Sequence, residues 1–505
     1  MKPEDSFISV CGYKVRTNKV LGLGLVFPFV EAEKEGTLYL AHCIKLSDLT
    51  KKTCELINNE TKYLQTINFP NIVKRIGNPI TDKRHLLILY EYCNLGSISY
   101  YLKNNSLTIE LLKRIAHQVM KALCVLSTLH HAVVALCPDS VFLHEDNNKR
   151  IHVIVCDLML VQKINSPMLK CNEFTYLYKN CERENVDTQT DIHAFGTLMI
   201  SLGKYVELKE HSEAFHKLVD TCFDDKVEKE LGAVIFSKFM HQDGKLEKKY
   251  KDIKKIGRGG QGEVCVAKRI DEEFNDNGVA IKNQNLSLHT DYYSKRELKL
   301  AATEIKSLYG LSSTLLGRKY CVILLDHFID DNKLYIIMER CDAKNLRHYM
   351  KQPLDDMTIV KITKDIALGL VAIDNCRIIH RDIKPENVVF NEGKERTAKL
   401  CDFGISKHRA CADSFEDISI CPMNLTYLPP EICEFKQGVN FDVWGLGAIL
   451  YEMRFKKTPS KAKIEFLEDT DHRIKELITR CLEKNPEERM SAAEVVEFIS
   501  DKFNI

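Results

Sequence analysis

The chain has almost no net charge and no long apolar run. Its 72 lysines and arginines nearly cancel its 71 aspartates and glutamates, so nothing argues for bulk binding to nucleic acid or to an anionic membrane surface. The longest apolar stretch, residues 20–30, is broken by Gly22, Gly24 and Pro28 and cannot span about 30 Å of hydrocarbon. The N-terminus, Met1-Lys2-Pro3-Glu4-Asp5, lacks the basic-then-apolar layout of a signal peptide. The 19 cysteines are scattered, with no Cys-x-x-Cys pair. Without an export signal, reduced thiols in a soluble cytoplasmic or nuclear protein are expected rather than disulfides or zinc. Low-complexity segments are missing as well.

What is present is core material for more than one domain. At 505 residues, with 45% hydrophobic and 28% charged content, the chain suits about three ordinary domains or two of roughly 250 residues. An internal repeat favours two. Leu21-Gly22-Leu23-Gly24 echoes Ile256-Gly257-Arg258-Gly259, and Cys43-Ile44-Lys45 echoes Ala280-Ile281-Lys282. Tyr90-Glu91-Tyr92-Cys93 echoes Met338-Glu339-Arg340-Cys341, and Phe174-Thr175-Tyr176-Leu177 echoes Leu425-Thr426-Tyr427-Leu428. In each copy an aspartate, Asp191 or Asp442, follows that tyrosine by 15 positions. The polar stretch from Met240 to Lys249 reads as a short linker, which divides the chain into 1–240, 241–249 and 250–505. The two copies consume the chain, so no separate targeting or recruitment domain is expected.

In the second copy, short β-rich runs are predicted at Gly262–Arg269, Val279–Lys282, Tyr320–Asp326 and Lys333–Glu339, with a helix at Tyr293–Tyr309 among them. Helical patterns follow. Ile359, Ile362, Ile366 and Ile373 recur near the 3.6-residue period of one buried helix face. That helix runs into Ile378-Ile379-His380-Arg381-Asp382-Ile383-Lys384-Pro385-Glu386-Asn387. This loop sets a carboxylate, an ammonium and a carboxamide close together. A proton acceptor, a cation for a phosphoryl group and an amide oxygen for a metal are the parts that phosphoryl transfer needs.

The order H-R-D-x-K-x-x-N resembles the catalytic loop of eukaryotic protein kinases of the serine/threonine branch. Other motifs carry the same resemblance. Gly257-Arg258-Gly259-Gly260-Gln261-Gly262-Glu263-Val264 is a G-x-G-x-x-G run whose glycines let backbone amides approach phosphates. Glu263–Arg269 continues as a strand, not as the helix of a dinucleotide fold. Val279-Ala280-Ile281-Lys282 is similar to the family's V-A-I-K, Asp402-Phe403-Gly404 to its D-F-G, Pro429-Pro430-Glu431 to Ala-Pro-Glu and Asp442-Val443-Trp444-Gly445-Leu446-Gly447 to its D-x-W-x-x-G.

The resemblance implies an α+β fold with two tandem bilobal domains, each a small β-rich lobe and a larger helical one. It implies ATP and Mg2+ as cofactors and a protein hydroxyl as substrate. Ile256, Gly257, Gly259, Gly262, Val264 and Ala280 would line the nucleotide site. Lys282 would bind the α- and β-phosphates and pair with a helix glutamate. Glu297 and Glu304 are both candidates, and Glu304 is preferred because Glu304-Ile305-Lys306-Ser307-Leu308 looks like the family's E-I-x-x-L. Met338 would be the gatekeeper, and Glu339 to Cys341 the hinge. Asp382 and Lys384 would be catalytic, and Asn387 and Asp402 would hold the metal. Glu431 would pair with Arg489, and Asp442 would brace the catalytic loop. Ser419 and Ser414 are candidate phosphosites. Met423-Asn424 departs from the family's Gly-Thr, which bears on substrate preference and rate.

The first copy resembles a pseudokinase. Cys137-Pro138-Asp139-Ser140 aligns with Lys384-Pro385-Glu386-Asn387, so Val133-Val134-Ala135 stands at His-Arg-Asp. Cys156-Asp157-Leu158-Met159 replaces Cys-Asp-Phe-Gly, and Phe27 stands at the third glycine. Asn180 and Glu230 replace the Glu–Arg pair together. Lys45, Glu60 and Asp157 are expected to remain in kinase-like places, and Phe27 and Phe29 to crowd the nucleotide position. A pseudokinase preceding a kinase resembles the arrangement in Janus kinases and in the amino-acid-starvation kinase, in architecture only. An intramolecular contact between the copies, with the first regulating the second, is the leading expectation, with no nucleic acid and no membrane span. A non-catalytic scaffold built from both copies is the alternative.

Overall fold

The computed structural model describes residues 7–167, 185–187, 189–208, 212–223, 246–259, 262–270, 278–285, 292–330, 333–392, 396–408, 426–434, 440–460 and 464–505. Ser414, Ser419, Met423-Asn424, Asn180 and Glu230 lie outside these residues. The chain divides into two compact units, Met1–Met240 and His241–Ile505. Among the described residues no helix is long and apolar enough to cross a membrane.

Each unit opens with an antiparallel sheet. In the first, six strands run in the order Ile8–Val10, Tyr13–Gly22, Phe29–Lys34, Thr37–Lys45, His85–Tyr90 and Arg75–Thr81. In the second, five run Tyr250–Gly259, Gly262–Arg269, Val279–Asn285, Lys333–Glu339 and Leu324–Asp330. Residues at alternate positions along these strands share one packed face. Val15, Val30, Ala32, Ala41, Leu87 and Leu89 pack together in the first unit, and Ala267, Val279, Ile281, Phe328, Tyr335 and Ile337 in the second. Period-two alternation of this kind fixes register, because a slip of one residue would turn the whole apolar set outward.

A helix interrupts each sheet: Lys51–Thr66 in the first unit and Tyr292–Ser312 in the second. Thr50 opens the former with a capping box on Thr53, which satisfies otherwise orphaned backbone donors. Further helices follow, led by Ile109–Thr128 and Asp356–Asn375. Asp355 caps the latter, its carboxylate accepting from Thr358 N at 2.8 Å. Ile359, Ile362, Ile366 and Ile373 are all buried along it, each contributing about 1.5–3 kcal/mol by leaving water. The helix delivers the chain to Ile378-Ile379 and the loop beyond.

One sequence expectation is corrected. The strand expected at Tyr320–Asp326 begins later, at Leu324–Asp330, and Leu315–Tyr320 is helical. Thr314 starts this helix, its hydroxyl accepting from Gly317 N at 3.1 Å. Leu246–Lys249 forms a helical turn, and Leu246 packs on the sheet core beside Tyr250.

Candidate active site

The second unit gathers its charged groups from five elements. Lys282 lies on the strand Val279–Asn285, directly across from Val264 on one side and Ile336 on the other. Its ammonium is 2.7 Å from Glu304 and 2.8 Å from Asp402. Gln284 Nε2 donates to the other Glu304 oxygen at 2.9 Å. Glu304 belongs to the helix Tyr292–Ser312; the Glu297 side chain lies outside the described residues. Burial alone would push the Lys282 ammonium down, but Glu304 and Asp402 outweigh it and hold the group well above the ordinary lysine range. Burial raises the Asp402 carboxyl, and Lys282 more than reverses that, leaving it below its usual value. Glu304 has no exposed face, and burial keeps its carboxyl raised despite Lys282. One cation thus serves two anions, of which only Asp402 faces solvent, at 44% exposure.

The loop His380–Asn387 is held from below. Asp442, at the start of the helix Phe441–Phe455, accepts from His380 N at 2.7 Å and from Arg381 N at 2.9 Å. Two successive amides can meet one carboxylate because Arg381 has left-handed backbone, φ 70°, a conformation costing a non-glycine residue about 1 kcal/mol or more. His380 fixes the next residue: its Nε2–H donates to Cys401 O at 3.1 Å, so Nδ1 accepts from Asp382 N at 3.3 Å. Asp382 Oδ2 then receives Lys384 Nζ at 2.5 Å and Asn387 Nδ2 at 2.8 Å. With its NH2 bound to Asp382, Asn387 keeps its amide oxygen for a cation.

The glycine hairpin precedes the strand of Lys282 in the same sheet. Gly257 pairs with Val264, and Gly259 with Gly262. A Cβ on Gly262 would stand 2.1 Å from Asn283 O, so only glycine permits the approach. Ile256 is exposed, while Ala280 sits across from Met338. Glu339 N donates to Ile323 O at 2.9 Å. Burial pushes the Cys341 thiol up to about 12, which makes it a poor nucleophile. Sequence reading missed one feature here: Lys399, buried, donates to Glu339 at 2.6 Å and to Arg318 O at 2.7 Å, bracing the stretch after Met338. A lysine in a short strand carries no sequence signal for burial.

Two hydrogen bonds bring the first unit into register with the second. Ser140 N donates to Cys137 O as Asn387 N does to Lys384 O, both at 3.0 Å. Cys156 N donates to Ser140 O at 2.9 Å, and Cys401 N to Asn387 O at 3.0 Å. Asp157 and Asp402 share left-handed backbone, φ 56° and 64°. Ala135 therefore occupies the place of Asp382, five residues before Ser140.

The lysine reading is overturned. Leu40 pairs with Tyr90 as Ala280 pairs with Met338, which puts His42, across from Ile88, where Lys282 faces Ile336. Lys45 is exposed at the strand end opposite His85. Cys43-Ile44-Lys45 copies the letters three residues out of register; strand pairing, invisible to the sequence, decides. His42 is fully buried, and burial holds its imidazole down at about 4, so the ring is neutral; its Nδ1–H donates to Pro28 O at 3.1 Å.

Rings fill the space around it. Phe29, at the register position of Val264, lies 3.9 Å from His42 and 4.9 Å from Phe142, centroid to centroid. Phe142 is two residues after Ser140, as Val389 is after Asn387. Glu60 is sealed below them, accepting from Tyr90 OH at 2.6 Å and Leu158 N at 3.2 Å. Asp157 accepts from Leu25 N in the hairpin. Two buried carboxyls thus lack the lysine that serves their counterparts. Burial, then Glu60, raises Asp157 to about 7, and burial raises Glu60 as well.

Between about pH 4 and 7 the folded chain holds a proton on Asp157 that the unfolded chain has released. Stability falls as pH rises through that window and levels off above it. Asp157→Asn is expected to raise the melting temperature of the full chain at pH 8, with a smaller gain at pH 5. A gain independent of pH contradicts this.

The family model described as the protein kinase domain matches residues 18–233 and again 250–498. The chain is similar to an Aurora kinase of Debaryomyces hansenii, 28% identical over 264 residues, covering 48% of this chain and 60% of that protein. It is similar to the probable serine/threonine-protein kinase zyg-1 of Caenorhabditis elegans, 26% identical over 261 residues, covering 50% and 34%. To the serine/threonine-protein kinase Nek9 of Xenopus laevis it is 28% identical over 269 residues, covering 49% and 27%. The chain thus spans between about a quarter and three fifths of the length of these curated relatives.

Proposed function

The chain belongs to the eukaryotic protein kinase superfamily, and we propose that its second unit transfers the γ-phosphate of ATP to serine or threonine hydroxyls of proteins, while its first unit is a pseudokinase that regulates it in cis. On this reading the two units are tandem bilobal domains, 1–240 and 250–505. The observation that carries the proposal is the asymmetry between them: Lys282 bridges Glu304 and Asp402 in one, whereas in the other the neutral His42 packs against Phe29 and Tyr90, with Phe142 against Phe29.

Phosphoryl transfer asks for position and charge more than for covalent chemistry. Asp382, held by Lys384 and Asn387, is placed to accept the proton of a substrate hydroxyl. Lys384, already within reach of that carboxylate, steadies the phosphoryl group. Lys282 orients the remaining phosphates. Asn387 and Asp402 offer the oxygen donors that magnesium prefers: an amide oxygen with its NH2 committed elsewhere and a carboxylate held ionised. When bound, the ion neutralises phosphate charge. In the first unit Ala135 offers no base, Cys137 no ammonium and Ser140 no amide, and the space between hairpin and floor is taken by aromatic rings.

The test is transfer of radiolabelled phosphate by the full chain. Asp382→Asn keeps the size and the hydrogen bonds of the loop but not the base. It is expected to lower transfer about 10²- to 10⁴-fold without changing the melting temperature. Equal labelling by wild type and variant overturns the catalytic reading and leaves a binding scaffold.

A further inference from the structure

Besides the ionic tie through Lys282, an uncharged bond joins the glutamate-bearing helix to the segment that carries Asp402. Ser307 Oγ and Ser406 Oγ lie 3.1 Å apart, on residues 0% and 4% exposed. Ser307 follows Glu304 by three positions in the helix Tyr292–Ser312, one turn along the same face. Ser406 follows Asp402 by four, and its N–H donates to Phe403 O at 3.0 Å, closing the turn through Gly404. The next residues, Lys407-His408, pair with Ile378-Ile379, the strand that leads into the loop of Asp382. Ser406 is thus fixed from both sides, and Ser307 meets it from the helix.

We propose that the Ser307–Ser406 hydroxyl pair is a positioning latch, holding helix and segment together so that Glu304 and Asp402 keep their places around Lys282 when nucleotide enters. This rests on reading the second unit as the phosphotransferase. The ionic tie alone is ill suited to that role. Phosphates entering the cleft attract Lys282, and a cation attracts Asp402, so the charges that align the empty site are drawn off when it fills. A buried bond between two hydroxyls is indifferent to that competition and to salt screening. Its length does not depend on either ion. Neither serine touches substrate in this scheme; both act through the residues one turn away.

The experiment uses the full chain with Ser307→Ala, Ser406→Ala, the double variant and Ser406→Thr, which restores a hydroxyl. Each alanine variant is expected to lower kcat about tenfold with KM for the protein substrate unchanged. The double variant should fall short of the sum of the two single losses, since the bond they share is removed only once. Ser406→Thr should recover most of kcat. Hydrogen exchange supplies a readout that needs no catalysis: with a non-hydrolysable ATP analogue and Mg2+ present, amides of residues 300–312 should exchange faster in Ser406→Ala than in wild type. Additive losses in the double variant, or reduced thermal stability with kcat unchanged, overturn the latch. A wild type that transfers no phosphate refutes the catalytic reading instead, and unchanged exchange in residues 300–312 then refutes the latch by itself.

Discussion

Lys282→Met is expected to lower phosphate transfer about 10³-fold, as loss of a single preorganised charge in an active site does, and to destabilise the second unit by about 3–5 kcal/mol. The two effects have one origin. Methionine fills the volume of the lysine stem but brings no charge to Glu304 and Asp402, which meet the ammonium at 2.7 and 2.8 Å. Asp402 turns to solvent and bears the loss. Glu304 is 1% exposed, and its carboxylate keeps the hydrogen bond from Gln284 but no cation. That carboxyl, already raised by burial, then takes up a proton more readily. A group with a raised folded-state value loses its contribution as pH climbs, so the penalty should be larger at pH 8 than at pH 5.5. Lys282→Arg separates the effects. It keeps the charge and most of the stability, but a planar fork in place of a compact ammonium misplaces the donors, so transfer stays low. Chemical denaturation and radiolabel transfer on the three chains check both halves. A methionine variant as stable as wild type at pH 8 contradicts the account.

Arg489→Met is expected to cost about 3–5 kcal/mol without altering any group in the cleft, because it breaks a buried pair on one side only. The Arg489 side chain is 0% exposed and that of Glu431 6%. Their contact is bidentate, at 2.6 and 2.9 Å. The same guanidinium donates to Glu483 O at 2.8 Å and lies 5.3 Å from the Trp444 ring. Removing it strands a carboxylate in the interior. Arg489→Met combined with Glu431→Leu removes both charges and is expected to recover much of the loss, since an apolar pair of similar volume often matches a buried ion pair. Trp444 is the single tryptophan of the chain, so its fluorescence during urea unfolding reports on this place. Equal midpoints for wild type and Arg489→Met contradict the expectation.

Much of the second unit could be read from its residues because the chemistry is local there. Asp382, Lys384 and Asn387 share one loop, so sequence spacing alone brings them together. The helix before the loop announces itself through four isoleucines and the Asp355 cap. Glu431 and Arg489, 58 residues apart, were paired only through resemblance. Where the reading failed, the failure has a shape. The helix Leu315–Tyr320 is six residues long, too short for a 3.6-residue apolar period to show in the sequence.

The sequence by itself determined the order of the elements, the charged loop and the loss of its counterparts at Ala135, Cys137 and Ser140, since each is written in contiguous residues. Only the tertiary structure decided which strand residue of the first unit stands at the register position of Lys282, and it chose His42 over Lys45. His42 and Lys45 are three positions apart and so lie on opposite faces of the strand; the letters of the repeat do not say which face turns inward, and the partner strand settles it by setting Leu40 against Tyr90. The same holds for the rings packed on His42 and for the Ser307–Ser406 bond, which joins residues 99 positions apart that nothing local connects.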